Sequence, residues 1–282
     1  MEREEENKKL SLKITLLEEE LKNMQARMHN LQSIMLSNVS HDIRTPMNAI
    51  VGFANLLTDE RLDRKELNGF INQINSNSSD LLQIIDNMID ASLLQCGDLE
   101  LFEKECSLND LVDNLYKYYK GVPALRHKRL NLVVSKGEDD DCLLLADHKR
   151  LKQVLNNLIG NAIKFTDNGY IEFGYHRGRN NKVVFYVKDS GIGLSNFAEE
   201  DLFKPFWSRL YKENGNINRG AGLGLAVSKS LIELMGGKIW LKSIPGEGTC
   251  FYFNLPEKRV SFIKKRLHQI GTVTKRNIAS IL

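Results

Sequence analysis

The sequence predicts two halves of different class. An all-α half starts as a coiled coil and continues as a helical hairpin that a second copy doubles into a dimeric four-helix bundle; a two-layer α/β sandwich follows. Three observations predict this. Apolar residues recur at Leu10, Ile14, Leu17, Leu21, Met24, Met28, Leu31 and Met35 in a strict 4,3 alternation, the seam of a helix that packs on a parallel partner helix. Leu67, Ile71, Ile74, Ser78, Leu81, Ile85 and Met88 repeat that heptad after a polar connection from Thr58 to Glu66. From about Leu101 the pattern changes to alternating strands mixed with amphipathic helices.

The order of elements follows from these periods. After Met35 the seam spacing becomes 4,4,4 through Val39, Ile43 and Met47, then returns to 3,4,3 at Ile50, Ala54 and Leu57. Such a stutter locally unwinds a left-handed supercoil. Pro46 has no amide hydrogen for the carbonyl of Asp42, so a bend is expected in the same turn. In the second half, Leu108 to Lys120 reads as helix and Leu130 to Ser135 as strand. Asp147 caps a helix from about His148 to Phe165; Ile171 to Tyr175 and Val183 to Lys188 alternate as strands. Leu223 to Met235 is helical, and Ile239 to Ser243 and Thr249 to Leu255 close the sheet. The resulting division is coiled coil 1–36, helical hairpin 37–95, linker 96–107, α/β domain 108–256 and basic tail 257–282.

Composition excludes several classes. The 282 residues carry 39 basic and 36 acidic side chains, a formal charge of +3, which argues against a dedicated nucleic-acid binder. The basic charge is local, with seven Lys or Arg and one Glu from Glu257 to Leu282. Cys96, Cys106, Cys142 and Cys250 have no paired or metal-ligand spacing, which points to free thiols in a reducing compartment. No apolar run approaches the roughly 18 to 20 residues that span a bilayer, and the first nine residues are too charged for a signal peptide. A cytoplasmic chain with no transmembrane segment is expected.

The stutter brackets Ser40-His41-Asp42-Ile43-Arg44-Thr45-Pro46. His41 falls between seam positions Val39 and Ile43, off the apolar stripe and toward solvent. A neutral imidazole is a competent nucleophile at cellular pH, and Asp42 can take or hold the proton of one ring nitrogen while the other attacks. A surface histidine beside an ordinary aspartate is the alternative for these two residues alone; the stutter, the proline and the downstream motifs favour chemistry. Thr45, on the same helical face, can orient a water against an acyl phosphate or bond to its own helix backbone. Arg44 suits a docking or phosphate contact.

The helix after Asp147 carries Asn157, Asn161 and Lys164 at spacings of four and three. Asparagines are poor helix formers that an apolar core does not require. Their amide oxygens can bind Mg²⁺ without adding charge, and the lysine can reach phosphate oxygens; a solvated helix face is the less favoured alternative. Asp189-Ser190-Gly191-Ile192-Gly193 ends a strand, where a carboxylate can accept from an adenine amino group and the glycines let backbone approach the base, although Asp-x-Gly-x-Gly is also an ordinary turn. Gly220, Gly222, Leu223 and Gly224 open a helix whose free amides suit a triphosphate. This is neither a Rossmann fingerprint nor a P-loop. The 26 residues from Leu194 to Arg219 are too long for an idle loop and read as a lid, with Phe203, Phe206 and Trp207 as anchors or as an aromatic satellite core.

In this order, across about residues 36 to 256, these motifs resemble the sensor histidine kinases of two-component signalling. The resemblance implies a signalling helix, a dimerisation and histidine phosphotransfer hairpin and an ATP-binding catalytic domain. It implies that His41 is phosphorylated with Asp42 assisting, and that Thr45 serves dephosphorylation of the partner. Asn157 to Thr166 looks like the asparagine box, implying Mg²⁺ ligation by Asn161 with Asn157 supporting, and phosphate contact by Lys164. Asp189, Gly191 and Gly193 match the adenine box, Phe203 and Phe206 the phenylalanine box, and Gly220 to Gly224 the second glycine box. Gly246-Glu247-Gly248-Thr249 matches the turn before the last strand. Related ATPases of this fold place a water-activating glutamate where this chain has Asn157, which fits a site that protects ATP until His41 arrives. ATP and Mg²⁺ are therefore the expected cofactors, a homodimer the expected assembly, and a separate response-regulator receiver domain the expected acceptor. A phosphatase-dominant protein and a coiled-coil scaffold with a degenerate nucleotide fold are the rivals.

Overall fold

The computed structural model describes residues 22, 40–59, 62–122, 125, 127–137, 142–178, 181–194, 199–205 and 222–257. The expected coiled-coil seam, Phe206, Trp207, Gly220 and the tail beyond Glu257 lie outside them. Two compact units divide the described residues, one through Ile89 and one from Asp90 onward.

The first unit is a helical hairpin. Helix α1 (40–56) runs through Pro46 without interruption in its helical assignment. The connection ends in a capping box: Asp63 accepts from the amides of Lys65 and Glu66 at 2.7 Å, and Glu66 accepts from the amide of Asp63 at 3.1 Å. That starts α2 (Arg64–Cys96). Phe53 meets Phe70 across the hairpin, with ring centroids 5.8 Å apart. A two-helix hairpin can bury only one side of each helix, and Met47, Val51, Leu67, Ile71, Leu82, Ile85, Met88 and Ile89 are all exposed on the single chain.

The second unit is an α/β sandwich. Strand β1 (Lys104–Ser107) pairs antiparallel with β3 (Leu143–Ala146) in a small sheet. Ser107 caps α3 (Leu108–Lys120) by accepting from the amide of Asp110. The main sheet contains β2 (Leu130–Ser135), β4 (Gly169–Arg177), β5 (Lys182–Asp189), β6 (Lys238–Ile244) and β7 (Gly248–Pro256), in the order β2-β4-β5-β7-β6. The β2–β4 pair is parallel and the rest antiparallel. Its inner face carries Ile171, Phe173, Tyr175, Val183, Phe185, Val187, Phe251 and Phe253, all buried. Phe185 and Phe253 stack at 4.7 Å.

Helices α3, α4 (His148–Phe165) and α6 (Gly224–Leu234) cover that face. Asp147 caps α4 through the amide of Arg150, as its position before an apolar series predicts, and its second oxygen accepts from the amide of Phe102 at 3.0 Å. The short α5 (Glu199–Leu202) precedes Phe203. All four cysteines are free thiols, three of them buried. No helix among the described residues is long and apolar enough to cross a membrane.

Candidate active site

Chemistry-bearing residues gather in each unit. On α1, His41 has a side chain 63% exposed while that of the adjacent Asp42 is 7% exposed, and His41 Nδ1 lies 3.3 Å from Asp42 Oδ1. The helix thus presents an imidazole to solvent and holds a carboxylate on its inner nitrogen. A proton on Nδ1 directed at Asp42 leaves the lone pair on Nε2, the outward nitrogen. The Thr45 hydroxyl donates to the carbonyl of His41 at 3.1 Å, the backbone alternative expected for a helical threonine. Arg44 is exposed on the same helix.

In the α/β unit, residues separate in sequence meet at the ends of β5 and α4. Asp189 is 7% exposed, and its Oδ1 accepts from the amides of Gly191 at 2.9 Å and Thr249 at 3.3 Å. Burial pushes its carboxyl above the ordinary value, against the opposing effect of those amides. The turn that follows is fixed on several sides. The amide of Ile192 donates to Phe165 at the end of α4, the amide of Gly246 donates to Ile192, and the amide of Leu194 donates to the hydroxyl of Ser243. Ser243 also bonds Thr249 at 2.9 Å between hydroxyls. Gly193 takes φ +65° with the carbonyl of Ile244 where a Cβ would sit, so both conformation and space require glycine.

Helix α4 buries Leu151, Val154, Leu155, Leu158, Ile159 and Ala162 and leaves Asn157, Asn161 and Lys164 on a half-exposed face. The Asn157 amide nitrogen donates to Ser228 on α6 at 2.9 Å, and its oxygen occupies the space a Cβ on Gly224 would need. Gly224 therefore lets α6 start against Asn157. Lys164 places its ammonium 4.8 Å from the centroid of the Phe165 ring. Gly222 has φ +66°, while Leu223 is buried at 1%, so a ligand there would meet its backbone and not its side chain. Phe203 is 7% exposed and packs within the main core rather than in a separate aromatic cluster.

Sequence reasoning missed Ser228, Ser243 and the fully buried Thr166 beside the Asp189 turn. Ser228 and Ser243 belong to no local motif, and Thr166, although the last residue of the asparagine box, was given no role; strand register and helix packing bring each to the site.

The donor set fits a nucleotide-bound divalent cation. Among the described residues no group of three or more His, Cys, Asp or Glu could hold a metal alone. Amide oxygens and glycine backbone suit a cation whose charge is met mainly by phosphates.

Comparison with known proteins places the chain. Residues 31–97 match the family described as His Kinase A (phospho-acceptor) domain, and residues 146–259 match Histidine kinase-, DNA gyrase B-, and HSP90-like ATPase. The sensor histidine kinase GacS of Pseudomonas protegens is 37% identical over 238 residues, 81% of this chain and 25% of that protein. The structure of full-length ShkA in complex with AMPPNP aligns at TM-score 0.56 and 27% identity, over 78% of this chain and 45% of ShkA. Histidine kinase ThkA, solved with the response regulator protein TrrA, aligns at TM-score 0.55 and 28% identity, over 80% of this chain and 62% of that one. The chain belongs to the sensor histidine kinases of two-component signalling, and its α/β unit is their ATP-binding domain. It spans about a quarter of the length of the GacS proteins and between 11% and 31% of the other curated relatives compared with it.

Proposed function

We propose that this chain is an ATP-dependent protein-histidine kinase that autophosphorylates His41 and passes the phosphoryl group to an aspartate of a separate response regulator, with dephosphorylation of that partner as a second activity. The observation that carries the reading is the exposed His41 imidazole backed by the buried Asp42 at 3.3 Å, in one chain with the Asp189 nucleotide turn.

His41 Nε2 attacks the γ-phosphorus as the bond to the ADP oxygen breaks, and Asp42 holds the Nδ1 proton while positive charge develops on the ring. Asp189 accepts from the adenine amino group, with Gly191, Gly193 and Thr249 shaping the base pocket. Lys164 and the amides of Gly222, Leu223 and Gly224 face the phosphates, and Asn161, supported by Asn157, holds Mg²⁺. Mg²⁺ supplies charge neutralisation on the phosphates when bound. Phe203, packed in the core, supports the same nucleotide site, to which Phe206 and Gly220, outside the described residues, are also assigned. The chain works in the cytoplasm as a homodimer through coiled coil and bundle. ThkA's structure with a response regulator supports a separate protein as acceptor.

Incubation with γ-labelled ATP tests the assignment. Wild type should acquire acid-labile, base-stable label that H41Q lacks; label persisting in H41Q overturns His41 as the acceptor.

A further inference from the structure

Lys128 lies just ahead of β2, outside every motif, and makes contacts that its sequence context does not announce. Its ammonium donates to the carbonyls of Ile163 at 3.0 Å, Lys164 at 3.1 Å and Thr166 at 3.2 Å. These are acceptors at the C-terminal end of α4, where helical carbonyls lose their intrahelical partners and the helix dipole is negative. The same helix end delivers three parts of the nucleotide site. Lys164 projects from it, the Phe165 carbonyl accepts from Ile192 in the glycine turn, and buried Thr166 lies against Gly191 and Asp189.

We infer that Lys128 is a positioning residue for nucleotide binding: its ammonium closes the C-terminal end of α4 and thereby fixes Lys164 and the adenine-side turn relative to one another. This rests on the ATP-binding reading above. Both jobs need a cation that can serve several carbonyls at once, and three donors on one ammonium meet that need. Lys128 also pairs with Asp167 at 3.1 Å, but the Asp167 side chain is 91% exposed and such a pair contributes little. The carbonyls therefore carry the function and the ion pair does not.

The experiment compares wild type, K128M, K128R and D167N, measuring Mg²⁺·ATP dissociation constants by calorimetry, KM and kcat for autophosphorylation, and Tm. K128M should weaken ATP binding and raise KM about tenfold, since hydrogen bonds to a charged group are at stake, with kcat within about twofold. K128R, which keeps the cation and several donors, should recover most of the affinity, and D167N should bind ATP as wild type does. K128M that lowers Tm but binds ATP normally at a temperature where it is folded would make Lys128 purely structural and overturn the inference. So would loss of kcat at unchanged KM, or K128R as weak as K128M. Failure of the wild type itself to bind Mg²⁺·ATP would instead overturn the ATP-binding reading beneath it.

Discussion

Asp189 is the proposed adenine acceptor, and its environment gives pH effects of opposite sign for binding and folding. Burial raises its carboxyl above the ordinary 3.8, and the ionised form is the stronger acceptor for a purine amino group. ATP affinity should therefore fall on acidification at a pH above that where an exposed aspartate titrates. For the fold the sign reverses, because a carboxyl with a raised native pKa binds its proton more tightly folded than unfolded. Its contribution is most favourable below the unfolded pKa and is lost as pH rises through the folded one, so the penalty is fully present at neutral pH. Asp189→Asn keeps an acceptor for the amides of Gly191 and Thr249 and removes the buried charge. It should abolish ATP binding at every pH yet unfold, without nucleotide, at a Tm no lower than wild type at pH 7. Calorimetry and thermal denaturation check the two halves; wild-type affinity in D189N would remove the adenine role. Asp189, His41 and Asp42 were legible because each sits in a short local pattern. Lys128, Ser228 and Ser243 were not, because their significance lies in partners 35 to 38, 71 and 49 residues away respectively.

Elements show the same division between local and distant causes. The spans predicted for α3 and α4, Leu108 to Lys120 and His148 to Phe165, are those observed, because Ser107 and Asp147 cap them within three residues. β2 is likewise observed where alternation predicts it. β1 and β3 were missed: each has four residues, too few for a period, and they exist through antiparallel pairing with one another. At the entrance to β2, Arg129 adopts φ +52°, in the left-handed region that costs a side-chain-bearing residue about 1–3 kcal/mol. Lys128 beside it is held to the end of α4, and Leu130 begins the ladder with β4, so the turn has no room to relax. Arg129→Gly removes the Cβ penalty and adds flexibility to the unfolded chain, effects that partly cancel. The net expectation is a gain of about 0.5–1 kcal/mol in urea unfolding with an unchanged m-value. A loss of stability would mean that the Arg129 side chain contributes contacts outweighing its backbone strain.

The whole molecule carries a row of apolar side chains that one copy of the chain does not cover. Leu67, Ile71, Ile85 and Met88 are seam positions of the second heptad, and they are 36%, 39%, 38% and 42% exposed on the single chain, with Leu82 and Ile89 beside them at 62% and 52%. Scattered exposed apolar residues are ordinary, but a stripe at heptad spacing along one helix is a packing surface. A second copy offers the same stripe in the same register, which makes a two-fold four-helix bundle the natural cover. Ile85→Glu puts a charge on the stripe, where its burial against a partner would be unfavourable. Analytical ultracentrifugation should find the wild type dimeric and I85E monomeric or strongly shifted toward monomer. ATP binding supplies an internal control, because Asn157, Asp189, Thr249 and their supports all belong to the α/β unit. I85E should therefore bind ATP within about twofold of wild type while losing most autophosphorylation, since only the presentation of His41 depends on the bundle. An I85E protein that stays dimeric would move the interface off this stripe.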